Sequence, residues 1–209
     1  MTIQVCVRPV NKWFLATVLA VAGLLVTPAA LCDGTEHGFL SRLRHRVYVG
    51  EYSSYFPDDI RMAQVGYDCL LPLIEVSPGY HLIDFGLGAD MLFAFDDRGG
   101  ASDGRPLTPR ITPGGELNWS LRLYAPTTER FKARFFLEGL GITFVAYARK
   151  YPDTGTYLNI GSHVGLGVEY PIGDAEWFTA LRLFHSSNGK AYEHNPALNA
   201  LGLLVGVKI

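Results

Sequence analysis

The chain has little charge, few cysteines and no dense tract of basic residues. Only 18% of its 209 residues are charged, 48% are hydrophobic, and the formal net charge is −2. An average soluble protein has roughly 25% charged residues. This much apolar surface excludes an intrinsically disordered chain. Without a basic tract the electrostatic attraction that drives nucleic-acid binding has no source, so we expect no nucleic-acid partner.

The composition also argues against a helical protein. Glycine (23 residues) and proline (12 residues) are frequent. Inside a helix these residues cost about 1 and about 3 kcal/mol each, respectively. Together with the 12% of aromatic residues, this favours a β-rich fold over coiled coils and helix bundles.

The N-terminus has the three parts of a secretory signal peptide. Two basic residues precede an apolar run over 13–26, small residues follow, and the chain turns polar after Cys32. The run of about 14 residues is shorter than the roughly 20 that a helix needs to cross a bilayer. We therefore expect residues 1–32 to be a signal peptide that is removed and residues 33–209 to form a single domain. A retained anchor and lipid attachment at Cys32 are the alternatives.

Cleavage at this point would leave one cysteine. The sequence has 3 cysteines, and two of them, Cys6 and Cys32, lie in the signal peptide. Cys69 then has no partner within the chain, so no internal disulfide is expected despite the oxidising compartment. We interpret Cys69 as a small apolar strand residue.

Beyond the signal peptide, many segments of about ten residues alternate between apolar and polar or small side chains. Such alternation is typical of transmembrane β-barrels, whose strands present one face to lipid and the other to a polar lumen. In 157–170 the lipid-facing residues would be Leu158, Ile160, Val164, Leu166, Val168 and Tyr170. Charged residues on the opposite face of other segments, such as Asp84, Asp90 and Arg122, would be costly in a dry core but can be paired in a lumen.

Eight such segments form the smallest common closed barrel, and closure satisfies every strand edge inside lipid. We expect strands at 43–51, 61–72, 80–95, 112–125, 131–148, 157–170, 176–187 and 198–209. The segment 131–148 needs a β-bulge, because otherwise Leu140 and Ile142 would share a face with Glu138. A soluble sandwich or lipocalin-like barrel, with the apolar face inward, is the alternative.

The predicted connections alternate in length, as short periplasmic turns and longer extracellular loops do in bacterial outer-membrane barrels. Compact turns are expected at 76–79, 125–129 and 171–175, and mostly longer, more polar loops at 52–60, 96–111, 149–156 and 188–197. The sequence therefore predicts an all-β protein, an eight-stranded antiparallel transmembrane β-barrel of the bacterial outer membrane.

The last predicted hairpin carries a histidine beside two serines, in the segment 181–189 (LRLFHSSNG). Strand residues two apart share a face, so His185 and Ser187 lie side by side while Ser186 points into the lumen. A general base must reach the hydroxyl that it deprotonates, which favours Ser187 as a possible nucleophile for His185. Asn199, at the start of the next strand, could lie beside His185 across the hairpin. The alternative is that the strand has left the membrane at His185, where polar residues carry no cost.

The segment His185-Ser-Ser187-Asn188, followed by NPALN over 195–199, resembles the outer-membrane lipid A 3-O-deacylases and their acyloxyacyl hydrolase relatives. The likeness is most specific over 181–201, looser from about residue 134 through 170, and limited to architecture over 33–130.

This resemblance implies a serine esterase that opens laterally to the outer leaflet and hydrolyses the ester-linked acyl chain at position 3 of lipid A, without metal or cofactor. By position, it implies that His185 is the base, that Ser187 is the nucleophile, and that Asn188 contributes to the oxyanion hole with backbone N–H groups of the following loop. Lipid A or lipopolysaccharide and the lipids of the outer membrane are the partners it implies.

The chain departs from the family at the third catalytic member, where Asn199 stands in place of a glutamate. An Asn carbonyl can accept the imidazole N–H and fix its tautomer, but it cannot stabilise the imidazolium by charge. Glu193, in the loop, is the alternative orienting residue. We assign no catalytic role to His163 or His194, and no recognised ligand spacing supports a metal site.

Two other functions are compatible with the sequence. One is a non-catalytic small barrel, structural or binding, that kept the family fold after losing the glutamate. The other is an outer-membrane phospholipase that uses the same serine chemistry on a different acyl ester.

Overall fold

The computed structural model describes residues 42–56, 60–77, 80–96, 110–125, 132–148, 157–189 and 197–209. They form a closed antiparallel barrel in which consecutive strands pair and β1 pairs with β8. The strands are β1 (Arg44–Phe56), β2 (Ile60–Ser77), β3 (Tyr80–Asp96), β4 (Arg110–Tyr124), β5 (Arg134–Tyr147), β6 (Leu158–Ile172), β7 (Ala175–Ser187) and β8 (Leu198–Lys208). The predicted strands and their closure into a barrel are confirmed, while the predicted signal peptide lies outside the described residues.

Within the described ranges, no helix is long and apolar enough to cross a membrane. We call the end of the barrel where β1, β3, β5 and β7 end the loop end, and the opposite end the turn end. Cys69 lies in β2 as a free cysteine, as its interpretation as a strand residue required.

One predicted loop is wrong. We expected a loop over 52–60, but β1 continues to Phe56 and β2 begins at Ile60. The two strands keep pairing to their ends, because Tyr52 pairs with Met62 and both side chains are buried in the lumen. The polar composition of the segment suggested a loop, while lumenal packing of its tyrosine keeps it in the sheet.

The predicted irregularity in β5 is present. The pairing between β5 and β6 shifts register between Glu138 and Gly141. A bulge adds one residue to a strand, so that the residues beyond it point to the opposite face from the one that strict alternation would give them. As a result Glu138 points into the lumen while Ile142 lies exposed on the outer face, and the alternation that the sequence interrupts is restored.

The outer face of the barrel is apolar over most of its height. Exposed large side chains there include Leu87, Leu117, Phe144, Leu166, Leu181 and Leu203. A continuous apolar surface of this kind suits the hydrocarbon of a bilayer and not water. The alternative of a soluble barrel with its apolar face inward is therefore wrong.

The lumen holds a chain of buried ion pairs. Arg122 contacts Asp68 at 2.7 Å and Glu138 at 2.6 Å, and Arg182 contacts the other oxygen of Glu138 at 2.6 Å. Arg46 continues the chain from Asp68 at 2.8 Å. Buried charges are tolerated only when paired and hydrogen-bonded, so the predicted pairing of Arg122 is confirmed.

The two predicted lumenal aspartates also have partners. Asp84 forms an ion pair with Arg44. Asp90 accepts hydrogen bonds from the Tyr48 hydroxyl at 2.6 Å and from Asn118 Nδ2 at 2.8 Å. Both aspartates are therefore paired or hydrogen-bonded inside the lumen.

Candidate active site on the outer wall

Three adjacent strands bring four polar side chains together on the outer face, close to the loop end. His185 on β7 pairs with Asn199 on β8 and with Ser162 on β6. Ser187 lies two residues further along β7 and so shares the face of His185. Along β7 and β8, the residues directly before and after each cluster residue are buried in the lumen where their burial is described, as the predicted alternation requires. The four side chains form a polar cluster on the outer wall of the barrel.

A hydrogen bond links the histidine to the asparagine. His185 Nδ1 lies 2.8 Å from Asn199 Oδ1. An amide oxygen accepts only, so Nδ1 donates, and in the neutral imidazole Nε2 is then the nitrogen without a proton. This tautomer is the one that a general base requires. The structure thus brings together the two residues whose proximity across the hairpin the sequence predicted.

The two serines occupy opposite faces of β7. Ser186 is 2% exposed and lies in the lumen, whereas Ser187 is half-buried on the outer face. Within the described part of the chain, no hydrogen bond joins His185 to Ser187. Residues two apart on a strand face are separated by roughly 6.6 Å, so the imidazole must lean along β7 to reach the hydroxyl. Such contacts are often long without substrate and shorten when it binds.

Gly189 places a backbone donor at the serine. Its φ of 62° is in the left-handed region, which glycine adopts at little cost. Its N–H is directed at Ser187 Oγ with an N–O distance of 3.4 Å. An oxyanion-hole donor must point at the carbonyl oxygen of the bound ester, so this N–H beside Ser187 is a candidate for that role once a substrate is present.

The residue that the resemblance implies for the oxyanion hole is Asn188, and it is buried. Asn188 is 4% exposed, whereas Ser187 before it and Gly189 after it are on the accessible side. Its contribution to an oxyanion hole stays a prediction. Glu193 and His194 lie outside the described residues, so the alternative orienting residue has no described position.

Buried neighbours hold the site from behind. The lumenal residues next to the site, Phe184, Leu198 and Ala200, are at most 4% exposed and belong to one apolar cluster. The ring of Phe184 packs edge-on against Tyr52 with centroids 5.8 Å apart. Functional side chains are held most accurately when the backbone that carries them is fixed by packing.

Ser162 is a polar member of the cluster that the sequence analysis missed. It lies on the exposed outer face of β6, directly opposite His185. The alternation itself contains the signal, since Ser162 falls between Ile160 and Val164 on the face predicted to contact lipid. A hydroxyl at such a position is a polar group among apolar ones and calls for a reason.

The remaining histidine of this region is lumenal. His163 is buried, with Nε2 at 3.1 Å from a carboxylate oxygen of Glu138. Among the residues that the structure describes, no three His, Cys, Asp or Glu side chains are grouped as metal ligands would be.

The C-terminal half of the chain matches a known family. The family model described as lipid A 3-O-deacylase (PagL) matches residues 107–208. The C-terminal half of the chain is similar to the lipid A 3-O-deacylases. The matched segment contains β4 to β8 and therefore His185, Ser187 and Asn199, while β1 to β3 lie outside it. The general function that this match supports is lipid A deacylation by a hydrolase.

Solved structures show the same fold at low sequence identity. The outer membrane enzyme PagL superposes with a TM-score of 0.58 at 12% identity, over 77% of this chain and 97% of that one. Neisserial surface protein A (NspA) superposes with a TM-score of 0.52 at 10% identity, over 80% of this chain and 96% of that one. No curated protein sequence matches significantly. These likenesses confirm the predicted outer-membrane β-barrel fold.

Proposed function

We propose that this protein removes the ester-linked acyl chain at position 3 of lipid A, as a serine esterase with Ser187 as nucleophile and His185 as general base. The observation that carries the proposal is the 2.8 Å contact between His185 Nδ1 and Asn199 Oδ1, on the outer wall and beside Ser187. Polar groups that face lipid are expensive and call for a functional reason.

The reaction would proceed through an acyl-enzyme. His185 Nε2 takes the proton of Ser187 Oγ as this oxygen attacks the ester carbonyl. The N–H of Gly189, with Asn188, stabilises the oxyanion of the tetrahedral intermediate. Collapse of the intermediate releases the sugar hydroxyl, which receives its proton from His185. A water molecule, activated by the same histidine, then hydrolyses the acyl-enzyme and releases the hydroxy fatty acid.

Asn199 would act by orienting the histidine. Its carbonyl holds Nδ1 protonated and aims Nε2 away from β8. Without a negative charge it stabilises the imidazolium only weakly, which is the expected cost of the departure from the family's glutamate. Glu193 stays the alternative for this role.

The location of the site on the wall determines where the substrate comes from. Leu158 and Ile160, the exposed outer residues of β6 next to the loop end, would contact the acyl chain beside Ser187. The substrate would therefore approach from the outer leaflet. This proposal includes export, with residues 1–32 removed as a signal peptide and the loop end facing the cell exterior.

Mass spectrometry of lipid A from cells with and without the protein tests the proposal. We expect the wild-type protein to remove one hydroxyacyl chain, Ser187→Ala to leave lipid A intact, and Ser186→Ala to act like wild type because its side chain is lumenal. Appearance of lysophospholipid with intact lipid A would instead identify a phospholipase. If folded wild-type protein changes neither lipid, the barrel is non-catalytic and the proposal is wrong.

A further inference from the structure

The outer wall of the barrel is asymmetric near the loop end. On β3, β4 and β5 the described outer-facing residues in this half are apolar or glycine, among them Met91, Phe93, Ile111, Leu117, Ile142 and Phe144. On the other side of the active-site cluster, β1 and β2 carry outer-facing Glu51, Ser53 and Arg61. We call these three residues the polar flank.

Arg61 is the cation of the polar flank. It is exposed on the outer face, next to the first residue of β2, and lies directly opposite Ser53 of β1. Ser53 in turn pairs with Leu201, the next outer-facing residue of β8 after Asn199. Arg61 is thus three strands from His185, roughly 14 Å across the sheet. A long side chain at this rim reaches the layer of lipid head groups.

The chemistry of a guanidinium on this surface favours one kind of ligand. Its planar fork of donors matches a phosphate in a bidentate way, and such charge-assisted bonds are about twice as strong as neutral ones. The head group of lipid A is a phosphorylated glucosamine disaccharide. An ester held at Ser187 leaves this head group to lie either over the apolar strands β3 to β5, where no outer-facing cation is described, or over the polar flank.

We propose that Arg61 binds a phosphate of the lipid A head group and thereby fixes the direction of the substrate on the wall. The head group lies across β8, β1 and β2, and the cleaved acyl chain lies along β6 and β5. This inference rests on the proposed function, since it takes the scissile ester to be at Ser187.

Glu51 is the carboxylate of the polar flank and could compete with a phosphate for Arg61. It faces outward, half-buried, and pairs with Ala63, so it lies diagonally from Arg61 across the β1–β2 ladder. A carboxylate on a lipid-facing wall is costly. Arg61 would therefore have a purely structural role if it served only to neutralise Glu51, and the experiment must separate the two roles.

Lipid binding by the inactive protein provides the test. Ser187→Ala protein, refolded in detergent micelles, is titrated with bisphosphorylated lipid A and with the same lipid after removal of its phosphates. Adding Arg61→Gln should weaken binding of the phosphorylated lipid about tenfold or more and leave binding of the dephosphorylated lipid unchanged. Lys132→Gln removes an exposed cation near the turn end and should bind both lipids as the parent does.

The double variant Glu51→Gln/Arg61→Gln guards against a folding defect, because it removes both charges together. It should fold and still lack the preference for phosphorylated lipid. Three results would overturn the proposal. The double variant could retain the preference for phosphorylated lipid, Arg61→Gln could weaken binding of both lipids equally, or Lys132→Gln could weaken binding of the phosphorylated lipid as much as Arg61→Gln does. The assay uses Ser187→Ala protein and therefore does not depend on hydrolysis. If the wild-type protein proved inactive while phosphate binding still depended on Arg61, only the proposed function would be refuted.

Discussion

Replacing Asn199 tests the position at which this chain departs from the family. Asn199→Ala removes the acceptor that lies 2.8 Å from His185 Nδ1. The imidazole then exchanges between tautomers and rotates about its side-chain bonds, and only a fraction of these states presents Nε2 to Ser187. We expect turnover to fall roughly 10- to 100-fold, from the lost hydrogen bond and the lost orientation together.

The same substitution should scarcely affect folding. Asn199 is half-exposed on the outer face, while its neighbours Leu198 and Ala200 are fully buried and hold the start of β8. Loss of one half-exposed hydrogen bond costs about 1 kcal/mol or less. Urea unfolding in detergent, followed by gel mobility, should therefore give nearly the same midpoint for Asn199→Ala and wild type.

The opposite change should improve the enzyme. Asn199→Glu places a carboxylate beside the histidine and favours the imidazolium that forms when Ser187 loses its proton. We expect a gain of up to about tenfold in kcat, limited because the site is partly open to solvent and its charges are screened. Release of the hydroxy fatty acid from lipid A in micelles measures turnover for both Asn199→Ala and Asn199→Glu.

The result that would refute this reasoning comes from Glu193. If Glu193→Gln abolishes activity while Asn199→Ala is tolerated, the loop carboxylate orients His185. If none of the three variants changes an activity that wild type shows, the third catalytic member lies outside this hairpin.

Three further predictions concern the oxyanion donor, the lumen and the barrel itself. Gly189→Ala should reduce kcat about tenfold with a smaller effect on KM, because a side chain disfavours the φ of 62° that aims this N–H at Ser187; unchanged kinetics would remove Gly189 from the site. Glu138→Gln should destabilise the barrel by about 3 kcal/mol in urea unfolding, since Arg122 and Arg182 both contact its carboxylate at 2.6 Å, whereas the half-exposed Glu176→Gln should cost about 1 kcal/mol or less; equal losses would contradict the role given to the lumenal ion pairs. The folded protein should require detergent and migrate differently on gels before and after heating, and a soluble monomer without detergent would contradict a lipid-facing wall.

The strands could be predicted because alternation is a local property of a strand with one face in lipid. The bulge in β5 could be predicted for the same reason, since Glu138 interrupts the pattern and one extra residue repairs it. Tyr52 shows the limit of the method. Its segment is polar enough to suggest a loop, and only its packing in the lumen keeps β1 paired with β2 beyond this point.

Which residues lie opposite each other on neighbouring strands depends on the register of the strands. The alternation of apolar and polar residues determines this register less well than it determines the strands themselves. The β6–β7 register follows from the turn at Gly173 and Asp174, where Gly173 has a φ of 60° and Ile172 pairs with Ala175. We predicted a turn of five residues there, so the pairing of Ser162 with His185 was not predictable. β7 and β8 are joined by ten residues, 188–197, and we attribute their register to packing in the lumen. The position of Asn199 beside His185 was nevertheless predicted, because both residues had to lie at the same end of one hairpin.

A site on the outer wall has a kinetic consequence. The cluster at His185 lies on the face opposite the lumenal ion pairs of Arg122 and Glu138, so its ligand would arrive by lateral diffusion in the leaflet. The quantity that saturates such an enzyme is the surface density of substrate among other lipids, not its bulk concentration. Diluting lipid A with inert detergent at a constant total amount of lipid A should therefore slow the reaction as though substrate had been withdrawn.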